Sequence, residues 1–146
     1  GSGGIKRPVS FVKVDGDIPG ERVIKPAVAR QVMDMLSIAV EHNKSNARVT
    51  GYRVAGKTGT AHKIGKHGGY DKDRYRSMFG GLAPAINPKV AIVVAIDEPR
   101  SGEYYGNQVA APVFAKIASG ALRLFKVAPD LLDTHGVHVA SNGSKN

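Results

Sequence analysis

The chain has 146 residues, the size of one domain, and at 42% hydrophobic it is ordinary globular material. It has no cysteine, which excludes a disulfide framework and thiol chemistry. The net charge of +9 suits an anionic partner, but no helix-turn-helix pattern, zinc-finger spacing or aromatic RNA platform accompanies it, so nucleic acid is not an expected partner.

Residues 1–4 are three glycines and a serine and read as flexible. Residues 6–14 read as extended, with Val9, Phe11, Val12 and Val14 following Pro8. Turn chemistry fills 15–20. Pro26 suits the first turn of a helix. Val28, Val32, Leu36 and Ala39, joined by Met35, form a helical stripe running to about His42. Met33 and Met35 are read as core residues, not as part of a cofactor box. A polar loop follows at 42–48.

Strands are expected at 53–63, 77–82 and 90–96. The last is apolar at every position, which predicts burial on both faces. The glycine-rich, charged stretch 64–74 is expected to be a mobile loop, and 84–88 is short enough to join an antiparallel pair. A second long helix at 109–125 would place Val113, Ile117, Ala121 and Leu124 on one stripe. Pro129 and the polar residues 141–146 mark a C-terminal tail, taken as 130–146. No apolar run approaches the roughly 20 residues of a membrane-spanning helix.

Lys57-Thr58-Gly59-Thr60 is the most informative motif. In a strand, side chains alternate between faces, so Lys57 and Gly59 share one face and Thr58 and Thr60 the other. An ammonium and two hydroxyls can hold a carboxylate through charge-assisted hydrogen bonds. Gly59 lets a ligand backbone lie close to the strand, and an edge strand can pair with an extended peptide. The competing reading is a surface strand with two β-favouring threonines. His62 shares the face of Thr60 and is a candidate for the rim of a cleft, or simply a solvated strand histidine. Tyr104 and Tyr105 lie between Gly102 and Gly106 in a loop, where one is expected to face the cleft.

Other candidates are weaker. Asp97 and Glu98 adjoin at a strand end, so they diverge and do not form an acid–base pair. His135 and His138, with Asp133, lack a full ligand set, and no metal site is assigned. Lys57, Lys63, Lys66, Lys72, Arg74 and Arg76 outnumber Asp71 and Asp73 in one stretch, which also holds His62 and His67. It reads as a solvated basic surface near anionic polymer or phospholipid.

Taken together, the run from Gly51 to Lys63 around the K-T-G tetrad, Phe79-Gly80-Gly81-Leu82-Ala83-Pro84-Ala85, the strand ending Ile96-Asp97-Glu98-Pro99, and Tyr104-Tyr105-Gly106 followed by Val109-Ala110-Ala111-Pro112-Val113-Phe114 resemble penicillin-binding proteins. The likeness is to the class B, division-type D,D-transpeptidases that cross-link peptidoglycan, and it runs from about Gly4 to about Pro129. The loop 43–46 departs from the glycine-rich loop usual there. The resemblance implies an α+β fold, an antiparallel sheet covered by helices, as in penicillin-binding proteins and β-lactamases.

In that family the acylated serine lies in an S-x-x-K box opening a helix far upstream, with an S-x-N box between. Ser10-Phe11-Val12-Lys13 matches the pattern but sits in extended chain, where positions three apart face opposite ways. Ser144-Lys145-Asn146 matches S-x-N only within the tail. Residues 1–129 are therefore expected to be the C-terminal portion of a transpeptidase domain whose nucleophile lies outside this chain.

The resemblance also implies roles and partners. Lys57 would support catalysis electrostatically, and Thr58 and Thr60, with Gly59 between them, would bind the terminal carboxylate of a stem peptide or a β-lactam. No metal or organic cofactor is implied. The implied partners are the rest of the domain, peptidoglycan stem peptides, β-lactams and divisome membrane proteins. The implied location is the periplasmic face of the inner membrane, with the anchor outside this chain. A non-catalytic binding module needing a complementing chain, and a β-lactam-sensing receptor domain of the same fold, remain as alternatives. Alone, the chain is expected to expose more apolar surface than typical monomers tolerate.

Overall fold

The computed structural model describes residues 1–16, 18–65, 68–100 and 102–131. Two short strands, β1 (Ile5–Lys6) and β2 (Glu21–Arg22), pair antiparallel near the N-terminus. The extended stretch expected at 6–14 forms no longer strand, and Val9, Phe11 and Val12 project into solvent. Ser10 accepts a hydrogen bond from the Val12 N–H at 3.0 Å within this irregular chain, so Ser10 and Lys13 do not share a helical turn.

Helix α1 (Pro26–His42) begins on the proline that was expected to open it. It ends where Lys44 takes a left-handed φ of 46° and the Ser45 N–H donates to the Val40 carbonyl at 3.1 Å. That conformation favours glycine. The expected apolar stripe is only half right. Val40 is buried, and Ala29, Met33 and Leu36 lie partly buried on its face, while Val28, Val32 and Met35 are exposed. The helix has two apolar faces, and Val40 entering the core decides which one packs inward.

The central sheet is antiparallel, in the order β3 (Ala55–Ile64), β4 (Tyr70–Ala83), β5 (Val90–Asp97). β4 begins earlier than expected. Tyr70 pairs with Ile64, and the turn between them is closed by the Gly65 N–H donating to the Gly69 carbonyl at 2.9 Å. Most of the expected loop 64–74 is therefore strand. Cross-strand aromatic packing of His62 on Tyr75, with ring centroids 4.5 Å apart, helps hold it so.

Register places Thr58 opposite Phe79 and Thr60 opposite Ser77, with Val94 and Ile96 opposite those residues on β5. This face carries the core, where Phe79, Ala83 and Val94 meet Phe114, Ala118 and Leu122 of α3 (Ala111–Leu124) and Val40 of α1. The rotation of α3 corrects the expected stripe, since Val113, Ile117 and Leu124 point outward. Phe114 sets the phase. Its ring packs 4.7 Å from that of Phe79, in space left by Gly81, where a Cβ would come within 2.8 Å of the Phe114 ring.

On the opposite face of β5, Val93 is 78% exposed and Ala91 and Ala95 are open. Burial on both faces is thus not realised among the described residues, because helices cover one side of this sheet and β5 lies at its edge. Apolar exposure of the kind expected for the chain alone is present, on β5 and on the outer stripes of α1 and α3.

The end of the described chain folds back on the sheet. The Tyr52 hydroxyl donates to the Val127 carbonyl at 2.6 Å, the Arg53 N–H donates to Asp130 at 2.8 Å, and the Asp130 and Leu131 N–H groups donate to the Gly51 carbonyl. His135, His138, Asp133 and the Ser144-Lys145-Asn146 match lie outside the described residues, as do Lys66 and His67. No helix among the described residues is long and apolar enough to cross a membrane.

Candidate active-site wall

β3 is an edge strand, paired with β4 alone among the described residues, so Lys57 to Thr60 border an unoccupied sheet edge. Alternation holds as expected: Thr58 and Thr60 lie on the face of Phe79 and Ser77, and Lys57 and Gly59 on that of Gly80 and Met78. The Lys57 side chain then bends back. Its Nζ donates to the Thr58 carbonyl at 2.9 Å and lies 3.4 Å from Thr58 Oγ1, which brings ammonium and hydroxyl together despite their starting faces. At Gly59 an added Cβ would meet only Met78, at 3.4 Å, an ordinary contact. Packing within the described chain therefore does not require this glycine.

Thr60 has a different partner. Its Oγ1 accepts from the Gly106 N–H at 3.1 Å. With that lone pair engaged, the hydroxyl proton remains to be donated to an outside acceptor. Gly106 opens the short helix α2 (Gly106–Val109) and packs against the sheet so closely that a Cβ there would lie 2.4 Å from the Met78 carbonyl oxygen and 2.8 Å from that of Gly59. Within the chain, it is Gly106 and not Gly59 whose packing demands a glycine.

Tyr104 and Tyr105 are held in the same loop. The buried Ser77 hydroxyl donates to the Tyr104 carbonyl. A row of rings runs from His62 over Tyr75 to Tyr104, stacked at 4.1 Å, and on to Tyr105 at 4.4 Å. Tyr105 is the more exposed of the two tyrosines. Its hydrogen bond with the Tyr104 hydroxyl, 3.2 Å long, raises its phenol above the ordinary range. His62 lies at the far end of the row, its Nδ1 2.8 Å from the Asp71 carbonyl, so that nitrogen carries the proton. Tyr75, Ser77, Gly106 and Asn107 were not foreseen as site residues. Ser77 was discoverable only once its register with Thr60 was known.

At the Lys57–Thr58 end of the tetrad lies a cavity of about 300 Å³, bordered by Val40, Ser45, Lys57, Thr58, Phe79 and Asn107. Asn107 ties its rim together. Its Oδ1 accepts from Ser45 Oγ at 2.8 Å and from the Asn46 N–H at 3.1 Å, and its carbonyl accepts from Asn46 Nδ2 at 2.9 Å.

Farther along the hairpin, three cations of the basic stretch, Lys63, Arg74 and Arg76, are engaged in ion pairs. Lys63 contacts Asp97 at 2.6 Å and Glu98 at 2.7 Å, Arg74 contacts Asp71 at 2.8 Å and Glu98 at 3.2 Å, and Arg76 contacts Asp97 at 3.0 Å. The hydrogen bonds from Lys63 hold Asp97 and Glu98 below the usual carboxylate range, and Arg74 does the same for Asp71. Asp97 and Glu98 are thereby structural ion-pair partners. No group of three or more potential metal-ligating side chains occurs among the described residues.

A family model for the penicillin binding protein transpeptidase domain matches residues 1–119. The chain belongs to this family. It is 46% identical over 136 residues to the peptidoglycan D,D-transpeptidase FtsI of Escherichia coli, covering 92% of this chain and 23% of that protein. It is 40% identical over 124 residues to a protein named probable peptidoglycan D,D-transpeptidase PenA from Neisseria flavescens, covering 84% of this chain and 31% of the relative. The fold is similar to the apo structure of the TP domain from Burkholderia pseudomallei penicillin-binding protein 3, with TM-score 0.78 and 42% identity, over 89% of this chain and 40% of that one. The chain spans about a quarter of the length of the FtsI relative. As in these transpeptidase domains, the fold is α+β, with an antiparallel sheet carrying helices.

Proposed function

We propose that this chain forms the K-T-G wall of a serine D,D-transpeptidase site that cross-links peptidoglycan stem peptides, with the nucleophilic serine supplied by sequence outside this chain. The observation that carries the reading is the presentation of Lys57, Thr58 and Thr60 along an open strand edge, with the Thr60 lone pair engaged by Gly106. Thr58 and Thr60 donate their hydroxyl protons to the terminal carboxylate of a D-Ala-D-Ala stem peptide, and the Lys57 ammonium offsets its charge. The unpaired β3 edge takes up the peptide backbone as an added strand. Gly59 leaves room for that approach.

The serine oxygen attacks the carbonyl of the penultimate D-alanine. Collapse of the adduct breaks the peptide bond and expels the terminal D-alanine, leaving an acyl ester. An amine from a neighbouring stem then attacks the ester, forming the cross-link and freeing the serine. A β-lactam carboxylate occupies the same pair of hydroxyls during acylation by the drug. Tyr104, Tyr105 and His62 line one end of the cleft, where aromatic faces pack on ligand side chains. No step calls on a metal or organic cofactor. The whole protein is proposed to act at the periplasmic face of the inner membrane beside divisome membrane proteins, where peptidoglycan, the substrate named for its relatives, is cross-linked.

In the complete domain, Thr60→Ala lowers the rate constant for acylation by a carboxylate-bearing penicillin by about 10–150-fold, the loss of one charge-assisted hydrogen bond. The melting temperature stays close to that of the parent. An unchanged acylation rate constant removes Thr60 from the carboxylate site.

A further inference from the structure

Ser77 is fully buried on the core face of β4, directly opposite Thr60, with Phe79 next along that face and Ile96 opposite it on β5. A hydroxyl in such surroundings is costly unless hydrogen-bonded. Its partner is the Tyr104 carbonyl. Two residues on, the Gly106 N–H reaches Thr60 Oγ1 at 3.1 Å, in a fit that leaves no space for a Cβ. The next residue, Asn107, accepts at Oδ1 from Ser45 Oγ at 2.8 Å and from the Asn46 N–H at 3.1 Å. Gly106 is therefore gripped from both sides, by Ser77 through Tyr104 and by the 45–46 loop through Asn107.

We infer that Ser77 and Asn107 are positioning residues for ligand-carboxylate recognition, acting through the Thr60 hydroxyl; this rests on the carboxylate reading of Thr60. The hydroxyl has one proton to give. While the Gly106 N–H occupies a lone pair of Oγ1, the proton is aimed away from Gly106, toward the strand edge where the ligand lies. If the loop loosens, Oγ1 loses that donor and the hydroxyl rotates among water and nearby carbonyls, so orientation must be regained on binding. The two tethers come from distant parts of the chain and converge on one backbone N–H.

The test is a double-mutant cycle in the complete transpeptidase domain containing this chain, read as the second-order rate constant for acylation by benzylpenicillin. Ser77→Ala and Asn107→Leu are each expected to lower it by about two- to tenfold, the range of one ordinary hydrogen bond. In a Thr60→Ala background neither substitution should lower it further. Equal losses in both backgrounds would mean a general structural effect and would overturn the inference. So would a large loss for Thr60→Ala accompanied by none for Ser77→Ala and Asn107→Leu. If Thr60→Ala itself has no effect, the carboxylate reading fails first and takes this inference with it. Should Ser77→Ala fail to fold, the partly exposed Asn107 and a Ser45→Ala variant decide the matter on the same cycle.

Discussion

Between Ala55 and Thr60, the β3–β4 hairpin is closed by buried side chains and neutral hydrogen bonds: Phe79 in the core, Ser77 on the Tyr104 carbonyl, Gly106 on Thr60. From Ala61 outward the same two strands are held by solvent-facing ion pairs among Lys63, Asp71, Arg74, Arg76, Asp97 and Glu98, and by the tilted rings of His62 and Tyr75. One hairpin thus has a dry half and a wet half. Exposed ion pairs are screened by salt and contribute little singly, whereas buried packing is insensitive to both salt and mild acid. The tetrad lies along the exposed edge of the dry half, with Lys57 and Thr60 open to solvent, and the rings beside it extend into the wet one.

The contrast is sharpest at the level of single side chains. Phe79→Ala, in the dry half, is expected to cost about 3–5 kcal/mol. Tyr70→Ala, exposed in the wet half, should stay within about 0.5 kcal/mol. Chemical denaturation of the complete domain measures both, and comparable losses would erase the distinction.

A smaller effect is expected at Gly106. Adding a methyl there drives a Cβ to 2.4 Å from a carbonyl oxygen, an obstacle of backbone rather than flexible side chain. Gly106→Ala should cost about 1–3 kcal/mol and also weaken acylation, because the Thr60 contact must move with it. Full stability together with full reactivity would show that the loop tolerates displacement.

The mildest effect concerns pH. Asp71, Asp97 and Glu98 have folded pKa values below their ordinary 3.8, 3.8 and 4.5, so the stabilisation they supply is present above those ordinary values and is lost as pH falls through the depressed ones. Lys63 is raised above 10.5, so its contribution is present below that value and lost as pH rises through the raised one. Below about pH 4, hydrogen exchange should quicken across residues 61–64 and 70–76 while residues 77–83 keep their protection. High salt at neutral pH should act in the same direction. Uniform loss along the hairpin would contradict the division into halves.

These halves differ in how far the sequence revealed them. Strand alternation placed Thr58 and Thr60 on one face, and Pro26 and His42 marked both ends of α1, because these are local properties of a few neighbouring residues. The rotation of the helices was not local. α3 offers two apolar stripes, and only the vacancy at Gly81 on another element selects Phe114 over Val113 and Ile117. Glycine and charge in 64–74 suggested a loop, whereas the Tyr70–Ile64 pairing with β3 and the Arg74–Glu98 ion pair hold most of it as strand. The loop contacts that complete the site link residues such as Ser45 and Asn107, or Thr60 and Gly106, which are far apart in sequence and carry no shared periodicity. The all-apolar β5 signalled two covered faces, and the described residues cover one.

The central claim is that the open β3 edge, through Thr58 and Thr60, receives a ligand carboxylate. A crystal structure of the complete domain acylated by benzylpenicillin tests it most directly. The drug carboxylate is expected within hydrogen-bond distance of both hydroxyls, with Lys57 alongside and the Gly106 N–H still on Thr60 Oγ1. A carboxylate bound elsewhere, with Thr58 and Thr60 untouched, would contradict it.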